Sequence, residues 1–540
     1  MPTVPFRGLG TKGIVKDLPP ADLPLEAYTG GNNVRFANGA SMRSPSWRTS
    51  NPSLSFVPSG TFLYSPPGGS ETTFIPADTG AIWSRSSANA LTDVSVPGFT
   101  PATSSTQFTA CSLGAVFYLN RESHVPRYFT SASSTFTALP AWNAAWRCEV
   151  LRSFKDFLVA FNVTKSATQF QTMVKWSDAA LAGAPPASWD ETDPTKLAGE
   201  TILAELSGPI VDAQNLRDAV VIYGTNEVWL MEFVGGQFVF RFRRIFGDAG
   251  ILNRNCAVEV EGRHYVFGND DIYVHDGTQR KSLAAGRVRD FVFRNLNTAH
   301  LNRSFVAHNV ATREILFCYV SGDADAVPGF TGGTGVNRAA VYCYDNDTWG
   351  FMDIPNVFGP MSLAPASAAL TYATAPAGFD ATGGSYQDVV GSVRRTPMAS
   401  VRALGSSIAS ARLSFLDPIE ANSTVPFALD TALFTPAYLE KEHIDLDAQG
   451  AELTVFKTVS RVVPQLRMVT GGNVAFRFGA ANLHGAATTW ADPLTFNAAT
   501  DYKIDTRVSG RYLALRATVT EPRDFSLSGF DATITSNGAR

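Results

Sequence analysis

Seven histidines are the side chains in this 540-residue sequence best suited to acid–base or metal chemistry. They are His124, His264, His275, His300, His308, His443 and His484. No pair has the i, i+4 spacing that places two zinc ligands on one face of a helix, and none lies in a His-Glu-x-x-His motif. Single histidines in strand-like segments are more often structural. We therefore predict no catalytic residue, no metal ligand and no cofactor.

Two Asp/Trp phrases come closest to an enzyme signature. Asp345-Asn-Asp-Thr-Trp349 resembles the Asp-box turn of sialidase-like propellers, Ser-x-Asp-x-Gly-x-x-Trp, and Trp176-Ser-Asp178 is a second Trp/Asp turn. The first lacks the central glycine, and Asp-box turns are structural even in sialidases. We interpret both as Asn/Asp turns held by an aromatic side chain. A carboxylate pair for glycoside hydrolysis stays open as an alternative, because its spacing is three-dimensional.

The cysteines are scattered and odd in number. They are Cys111, Cys148, Cys256, Cys318 and Cys343. Most of them lie within apolar, strand-like runs. We predict buried thiols rather than a disulfide framework or a metal site.

Two basic clusters could contact phosphate groups. Arg241-Phe-Arg-Arg244 places cations around an aromatic residue, as a strand with one charged face does, and Arg394-Arg395 is the second cluster. We favour a solvated or interface strand over a nucleic-acid site. The formal net charge of −4 agrees, because a general nucleic-acid binder is normally basic.

Composition predicts a protein with packed cores and covered surfaces. Hydrophobic residues make up 45% of the chain and charged residues only 17%, below the roughly 25% usual for soluble domains. So little charge suggests that neighbouring copies or proteins cover part of the surface. The N-terminus has no signal-like apolar run, and no window approaches the ~18 apolar residues that span a bilayer. We expect a soluble chain, made in a cytosol, with no membrane-spanning segment.

A phrase beginning at Cys256 predicts three short strands joined by tight turns. Ala257–Glu261 alternates apolar and polar residues, and Gly262 permits a turn. His264–Phe267 and Ile272–His275 are rich in aromatic and β-branched residues. Such a meander is not stable alone, and similar segments recur along the chain. Recurrence favours a propeller or another modular all-β array.

Six such segments are predicted, with turn residues between them. They are Thr61–Trp83, Phe108–Trp142, Glu149–Trp189, Val211–Phe246, Cys256–Asn295 and Ser304–Ile354. We predict an all-β fold with a six-bladed β-propeller, and two stacked β-sandwiches are the alternative. Helices are expected only around Thr195–Leu206 and Ala399–Ser410. The glycine-rich segment Gly322–Asn337 is predicted to be a surface loop.

The sequence pattern changes near Pro397, which predicts a separate C-terminal domain. Its strand-like segments are Leu453–Lys457, Arg461–Pro464, Asn473–Gly479, Tyr512–Arg516 and Phe525–Ala532. They favour a sandwich-like unit of ordinary domain size. The predicted organisation is an extended N-terminal arm over residues 1–30, the propeller over 31–396 and the C-terminal β-domain over 397–540.

The N-terminal segment is rich in proline and in Asn/Gly turns. It contains Gly13-Ile-Val-Lys-Asp-Leu-Pro-Pro20, Leu23-Pro24, Gly31-Asn-Asn-Val-Arg-Phe36, Asn38-Gly39 and Pro45. This pattern predicts an extended chain restricted by proline, then a turn, then a strand carrying Val34 and Phe36. The segment also resembles the N-terminus of the tail nozzle proteins of short-tailed bacteriophages. That group includes proteins called tail tubular protein B or packaged-DNA stabilisation protein.

Later phrases extend the resemblance over most of the chain. They are Gly247–Gly250, Asp276-Gly277, Val288–Phe293, Asn346–Phe351, Arg507–Arg511 and Leu515-Arg516. The resemblance implies a virion structural protein, six copies of which form a tapered tube below an adaptor ring. Such a tube guides DNA outward and helps to retain the packaged genome until host contact.

The same resemblance implies a non-enzymatic role and a set of partners. The chain would be made in the host cytoplasm and would reside in the virion tail as a homohexamer. Its partners would be the tail adaptor protein above it, tail fibres or spikes, and DNA that passes through the lumen without sequence-specific binding. The arm through Val34 would close the propeller or clasp a neighbouring copy.

Two other functions fit the residues. A carbohydrate-binding or glycan-hydrolysing β-propeller would use its many aromatic side chains to stack on sugars. An interaction scaffold from a prophage or a cell would have the same architecture. The sequence does not distinguish the scaffold from a tail nozzle.

Overall fold

The computed structural model describes residues 3–97, 100, 107–236, 238–323, 334–364, 396–404, 410–417, 429–447, 454–468 and 472–538. Strands account for 52% of the protein and helices for 4%, so the predicted all-β class is confirmed. Helix α1 spans Arg289–Asn295, and short 3-10 helices span Pro20–Asp22 and Thr298–Arg303.

The strands of the first half of the chain are short and regularly spaced. They are β1 (Thr3–Arg7), β2 (Gly30–Asn32), β3 (Val34–Ala37), β4 (Ala40–Arg43), β5 (Ser46–Asn51), β6 (Phe62–Tyr64), β7 (Thr72–Pro76), β8 (Ile82–Arg85), β9 (Leu91–Asp93), β10 (Phe108–Leu113), β11 (Val116–Arg121), β12 (Arg127–Thr130), β13 (Thr137–Ala138), β14 (Trp146–Phe154), β15 (Phe157–Lys165), β16 (Thr168–Trp176), β17 (Gly199–Ile202), β18 (Ile210–Leu216), β19 (Ala219–Gly224), β20 (Val228–Phe233) and β21 (Phe240–Phe246).

The second half adds longer strands toward the C-terminus. They are β22 (Ala257–Val260), β23 (Arg263–Phe267), β24 (Ile272–His275), β25 (Arg280–Ser282), β26 (Phe305–Asn309), β27 (Glu314–Tyr319), β28 (Val336–Cys343), β29 (Thr348–Val357), β30 (Ser362–Leu363), β31 (Pro397–Val401), β32 (Arg412–Asp417), β33 (Ala437–Ile444), β34 (Lys457–Arg467), β35 (Asn473–Ala481), β36 (Thr489–Trp490), β37 (Leu494–Asn497), β38 (Ile504–Gly510), β39 (Tyr512–Val519) and β40 (Ser526–Ser536).

Six four-stranded meanders follow one another along the chain, and we number them sheets 1 to 6. They are β6–β9, β10–β13, β14–β17, β18–β21, β22–β25 and β26–β29. Their first two strands pair antiparallel. Each sheet overlaps one of the six segments predicted from the sequence. Sheet 6 is larger, because β31, β32 and β5 continue it beyond β29.

Sheet 5 matches its sequence prediction closely. Its strands β22, β23 and β24 lie where the alternating and aromatic segments predict them. The turn between β22 and β23 uses Glu261 at φ +53° and Gly262 at φ +72°. Two consecutive left-handed residues match the twist of a two-stranded hairpin, and glycine adopts this conformation without strain.

The predicted helix Thr195–Leu206 is wrong, and so is the prediction for the described part of Ala399–Ser410. Thr195–Leu206 contains β17, in which Gly199 pairs with Trp176, and the missing side chain of Gly199 leaves room for the indole ring. Ala399–Ser410 begins inside β31, which is buried throughout and paired with β32; residues 405–409 lie outside the described residues. In both segments the hydrogen-bonding edge of an adjacent strand overrides a weak helical preference.

The predicted loop Gly322–Asn337 is only partly described. Residues 324–333 lie outside the described residues, and Val336 and Asn337 already belong to β28.

Two further six-stranded sheets combine the two ends of the chain. Sheet 7 has the order β3-β4-β40-β34-β38, with β1 also paired to β40. Sheet 8 has the order β2-β33-β39-β35-β36, with β37 paired to β35. Strand pairing therefore crosses the predicted boundary at residue 30, and the continuation of sheet 6 through β31 crosses the boundary at residue 396.

One large hydrophobic cluster connects sheets 4 to 8, and smaller clusters lie between the other sheets. The large cluster includes Tyr223 of sheet 4, Val266 of sheet 5, Phe317 of sheet 6, Val292 of helix α1, Phe530 of sheet 7 and Phe476 of sheet 8. Arm residues Ile14 and Tyr28 belong to the same cluster. The arm is thus part of a core that the early and late parts of the chain build together.

Candidate functional site

The Asp345–Trp349 turn holds sheet 6 against sheet 5. The Asp347 carboxylate accepts hydrogen bonds from the Arg287 guanidinium at 2.8 and 2.9 Å and from the Tyr342 hydroxyl at 2.9 Å. Burial acts to raise the pKa of Asp347, but these two contacts outweigh it and the pKa is lowered. Trp349 is fully buried, and its indole N–H donates to the Leu283 carbonyl at 3.0 Å. These are the contacts of a structural turn.

The Trp176–Asp178 turn is held in a similar way. The Trp176 indole N–H donates to the carbonyl of Leu197 at 2.9 Å, and the Asp178 carboxylate accepts the N–H of Leu197 at 3.0 Å. Lys196 also lies 3.3 Å from that carboxylate. The tryptophan and the aspartate therefore fix the chain segment that leads into β17.

A buried polar cluster joins the arm to β29, and sequence reasoning did not find it. The side-chain amides of Asn32 and Asn33 donate to the two carboxylate oxygens of Asp353 at 2.8 and 2.9 Å. The backbone N–H of Asp353 donates to the Asn33 side-chain oxygen at 3.0 Å. Burial raises the pKa of Asp353, although the two amides act to lower it. The only signal in the sequence is the Asn-Asn pair, because asparagine tolerates a turn conformation.

The preceding part of the arm docks on the same strand. The N–H of Ile14 donates to the Trp349 carbonyl at 2.8 Å, and Gly13 lies so close that a Cβ there would be 2.7 Å from the Trp349 backbone. The Asp17 carboxylate accepts the N–H groups of Asp290 and Phe291 at 3.0 Å each, which caps helix α1. We call these contacts of Gly13–Asp17 and Asn32–Asn33 with α1 and β29 the arm junction.

Two of the seven histidines form a buried chain with a tyrosine. The Tyr223 hydroxyl lies 2.7 Å from Nδ1 of His264 and 2.7 Å from Nε2 of His275. The Gly277 N–H donates to Nδ1 of His275, so the proton of that ring is on Nε2 and is donated to Tyr223. His264 donates from Nε2 to the Asn215 carbonyl, so its Nδ1 accepts the Tyr223 proton. With both rings neutral, every polar atom in the side chains of Tyr223, His264 and His275 has a hydrogen-bond partner.

Burial sets the protonation states of these three side chains. It lowers the pKa of His264 to about 4 and that of His275 to about 3. It raises the pKa of Tyr223 well above its ordinary value. A neutral, buried pair of imidazoles whose ring nitrogens all have partners in the protein is suited to stabilising sheets 4 and 5.

The remaining histidines are dispersed over the structure. His308 lies 3.3 Å from the Tyr344 hydroxyl, and His124 lies 2.8 Å from the Ser123 hydroxyl. His443 and His484 both pack near the ring of Tyr512. Within the described ranges, no three His, Cys, Asp or Glu side chains come close enough together to hold a metal ion.

Four of the five cysteines are buried, and Cys111 is half-buried. All five are free thiols. Burial raises the pKa of Cys111 to about 12 and raises those of Cys148 and Cys318 still further. Thiols held protonated in this way are poor nucleophiles and poor metal ligands.

The Arg241–Arg244 segment is the outer strand of sheet 4. Arg241 and Arg243 contact Glu232 on the neighbouring strand at 2.5 and 3.5 Å, and Arg244 lies 3.7 Å from Glu227. The arginines face outward while Phe240 packs on the core, as the alternating pattern predicts. The second basic cluster, Arg394-Arg395, lies outside the described residues.

A polar cavity of about 370 Å³ lies where sheets 1, 2, 5 and 6 approach one another. Its lining includes Ser59, Gln107, Glu122, Asn253, Arg254, Asn302, Arg303, Ser304 and Phe358. Arg254 contacts Glu122 at 2.5 Å and also contacts Glu149. The Ser304 hydroxyl is buried and has no hydrogen-bond partner in the protein. Amides and hydroxyls of this kind suit a small polar ligand or water.

No protein-family model matches this sequence, and no curated protein is significantly similar to it. Among the described residues, no helix is long and apolar enough to cross a membrane. The polar side chains that the sequence offered as candidates mostly bond to one another or to the backbone, as structural residues do. The arm junction is therefore the most distinctive site.

Proposed function

We propose that this chain is the tail nozzle protein of a short-tailed bacteriophage, a structural protein through whose tube DNA leaves the virion. One observation carries the proposal. Four phrases that resemble this family, from distant parts of the sequence, contact one another at the arm junction. The N–H of Asn33 donates to the Phe351 carbonyl at 2.8 Å, and the Asn346 amide donates to the Phe36 carbonyl at 3.2 Å. The remaining two phrases are Gly13–Pro20 and Val288–Phe293, and Asp17 of the first connects them by capping helix α1 in the second.

Joint packing of these phrases supports the proposal for a physical reason. A short phrase that matches by chance has no cause to contact another phrase about three hundred residues away. Here the glycines among them are also sterically required. A Cβ at Gly350 would lie 2.7 Å from the Val34 carbonyl oxygen, and a Cβ at Gly13 would lie 2.7 Å from the Trp349 backbone. The phrases are thus parts of one packing arrangement.

We propose that sheets 1 to 6 are the blades of a six-bladed propeller, and that sheets 7 and 8 form the C-terminal sandwich-like domain together with the arm. Contacts between first strands support the blade arrangement. Arg152 of β14 donates to the Ala110 carbonyl on β10 at 3.2 Å and pairs with Asp212 on β18 at 2.7 Å. Asn255, just before β22, donates to the Phe108 carbonyl at the start of β10. Such bonds across several sheets are expected around a central axis.

The proposed assembly is a homohexamer in the virion tail, below the adaptor protein, with tail fibres or spikes as further partners. The low charge of the chain and its net charge of −4 suit a tube in which DNA slides without sequence-specific binding. The proposed role is non-enzymatic. The structural contacts of the Asp/Trp turns and of the buried histidines support it.

Quantitative mass spectrometry of purified particles tests the proposal. The amount of this chain is scaled against the major capsid protein, and a non-structural protein from the same lysate gives the background. A value near six copies per particle is expected. Absence from particles would refute the tail role. Light scattering on the purified chain is the second measurement, with about six times 58.0 kDa expected for the assembly.

A carbohydrate-binding or glycan-hydrolysing propeller is the alternative, and the polar cavity favours it. Its volume of about 370 Å³ and its amide side chains suit a small sugar. This alternative predicts a saturable change of tryptophan fluorescence with host polysaccharide. Release of reducing ends would make the chain a hydrolase. Neither change is expected for a nozzle.

A further inference from the structure

The hairpin between β20 and β21 ends in an exposed apolar tip. Phe233, Val234 and Phe238 are 40%, 50% and 75% exposed. Gly235 and Gly236 lie in the bend, with φ near +70° at both, and residue 237 lies outside the described residues. A Cβ at Gly236 would meet nothing within 4 Å, so the bend is open to its surroundings. We call Phe233, Val234, Gly235, Gly236 and Phe238 the apolar tip.

The apolar tip is supported by a firm base. The ring of Phe233 lies 6.0 Å from that of Phe157 and 5.9 Å from that of Phe240. The N–H groups of Val234 and Gly235 donate to the Val239 carbonyl at 3.1 and 3.4 Å. Because these backbone groups are already bonded, moving the tip into an apolar medium leaves fewer polar groups without partners.

The turn between β14 and β15 lies beside the base of the tip. Lys155, in that turn, holds its ammonium 5.1 Å from the ring centre of Phe233.

Three cationic and two carboxylate side chains lie at the base of the tip, an excess of one positive charge. The cations are Lys155, Arg241 and Arg243, and the carboxylates are Glu232 and Asp156. The Arg241 side chain is 63% exposed even though it contacts Glu232. Long cationic side chains beside an apolar projection can reach the phosphates of a lipid surface while the projection enters the acyl region.

We propose that the apolar tip inserts into the interface of a phospholipid bilayer, with Lys155 and Arg241 meeting the headgroup phosphates. The shape favours a bilayer over a protein groove, because the tip is narrow and its bend is open. A narrow tip also buries too little area to hold a protein partner by itself. Insertion of one tip is weak, and several copies in one assembly bind far more strongly through avidity.

Vesicle flotation tests this proposal with the full-length chain. The vesicles are phosphatidylcholine containing one fifth phosphatidylglycerol. Phe238→Ser is expected to lower the vesicle-bound fraction at least about fivefold, because the most exposed aromatic contact is removed. Leu483→Ser is the matched control: Leu483 is 66% exposed but lies in the connection between β35 and β36. This control is expected to bind like the unmodified chain.

Insertion itself is measured with Phe238→Cys carrying an environment-sensitive fluorophore, since the natural cysteines are buried or half-buried. Emission is expected to rise and shift to the blue when vesicles are added. Equal flotation of Phe238→Ser and the unmodified chain would overturn the proposal. So would a loss of self-assembly in Phe238→Ser without a loss of flotation, which would make the tip a contact between copies. Membrane contact does not depend on the tail role, so absence from virions would leave the vesicle result unchanged.

Discussion

Asn33 and Asp353, 320 residues apart in the sequence, hold each other by two reciprocal hydrogen bonds. The Asn33 amide donates to the Asp353 carboxylate at 2.9 Å, and the Asp353 backbone N–H donates to the Asn33 side-chain oxygen at 3.0 Å. Asn33 has φ +56°, a left-handed conformation that asparagine tolerates better than most residues. One side chain thus sets the turn between β2 and β3 and its attachment to sheet 6.

Asn33→Ala is expected to lower the free energy of unfolding by about 3 kcal/mol, because a buried carboxylate loses a donor and alanine is strained at this φ. Urea denaturation at neutral pH measures the change. Asn38→Ala is the matched control, since Asn38 has φ +54° but is exposed at the β3–β4 turn. The control is expected to cost about 1 kcal/mol, from backbone strain alone. Equal effects of the two substitutions would contradict a role for the Asp353 contact.

Gly13→Ala is expected to displace the arm from β29. The added Cβ would lie 2.7 Å from the Trp349 backbone, and Gly13 also has φ +69°. We expect a loss of about 3 kcal/mol in unfolding free energy and faster proteolysis of the arm. Gly39→Ala controls for strain alone, because Gly39 has φ +73° and open space around it. It should cost about 1 kcal/mol.

Deletion of residues 1–24 is a more drastic test of the same arm. The deletion removes β1 from sheet 7 and also removes the contacts of Gly13 and Asp17. Failure to fold or to assemble is expected. A deleted chain that folds and assembles as the complete chain does would show that the arm is dispensable.

Asp17→Ala is expected to destabilise the protein by about 1 kcal/mol through loss of the cap on helix α1. The Asp17 carboxylate accepts the N–H groups of Asp290 and Phe291, which have no partner inside the helix. Asp22→Ala removes an exposed aspartate from the same arm and serves as the control. Urea denaturation of both variants gives the comparison. A larger loss in Asp22→Ala would refute the capping role.

Local sequence patterns predicted a strand well where turn residues bounded the segment at both ends. Ile272–His275 is bounded by Asn/Asp and Asp/Gly turns, and its predicted bounds are those of β24. Gly199–Ile202 was missed, because this strand is fixed by its pairing with β16, where Gly199 leaves room for Trp176, and nothing in its own four residues indicates that pairing. The continuation of sheet 6 through β31, β32 and β5 could not be predicted, because sheet order depends on distant parts of the chain.

The contacts of the candidate site were only partly predictable. The Asp345–Trp349 turn was predicted to be structural from its residue types, and its bonds to Arg287 and Leu283 have that character. His264 and His275 lie on neighbouring strands in the predicted meander, and they are directly paired in the sheet. Their shared partner, Tyr223, comes from another sheet, and no spacing in the sequence indicates it. The same limit applies to Asn33 and Asp353.

Stability is expected to fall as the pH drops from 7.5 to 5, in part because His264 and His275 are buried in neutral form. Their folded-state pKa values are about 4 and about 3, below the ordinary value of 6.5. The unfolded chain therefore binds protons first as the pH falls through 6.5, and the loss continues until the folded-state pKa values are reached. Each histidine accounts for about 2 kcal/mol of unfolding free energy between pH 7.5 and 5. Above about pH 7 these two groups add no further change.

The variant His275→Gln separates this histidine from other titrating groups. The glutamine amide can still donate to Tyr223, but it cannot gain a proton, so the pH-dependent loss should shrink by about 2 kcal/mol relative to the unmodified chain. Urea titrations at a series of pH values between 5 and 7.5 measure this slope. The slope is the decisive quantity, because the variant also loses the bond from the Gly277 N–H and starts from a lower stability. An unchanged slope would show that the pH dependence does not arise from His275.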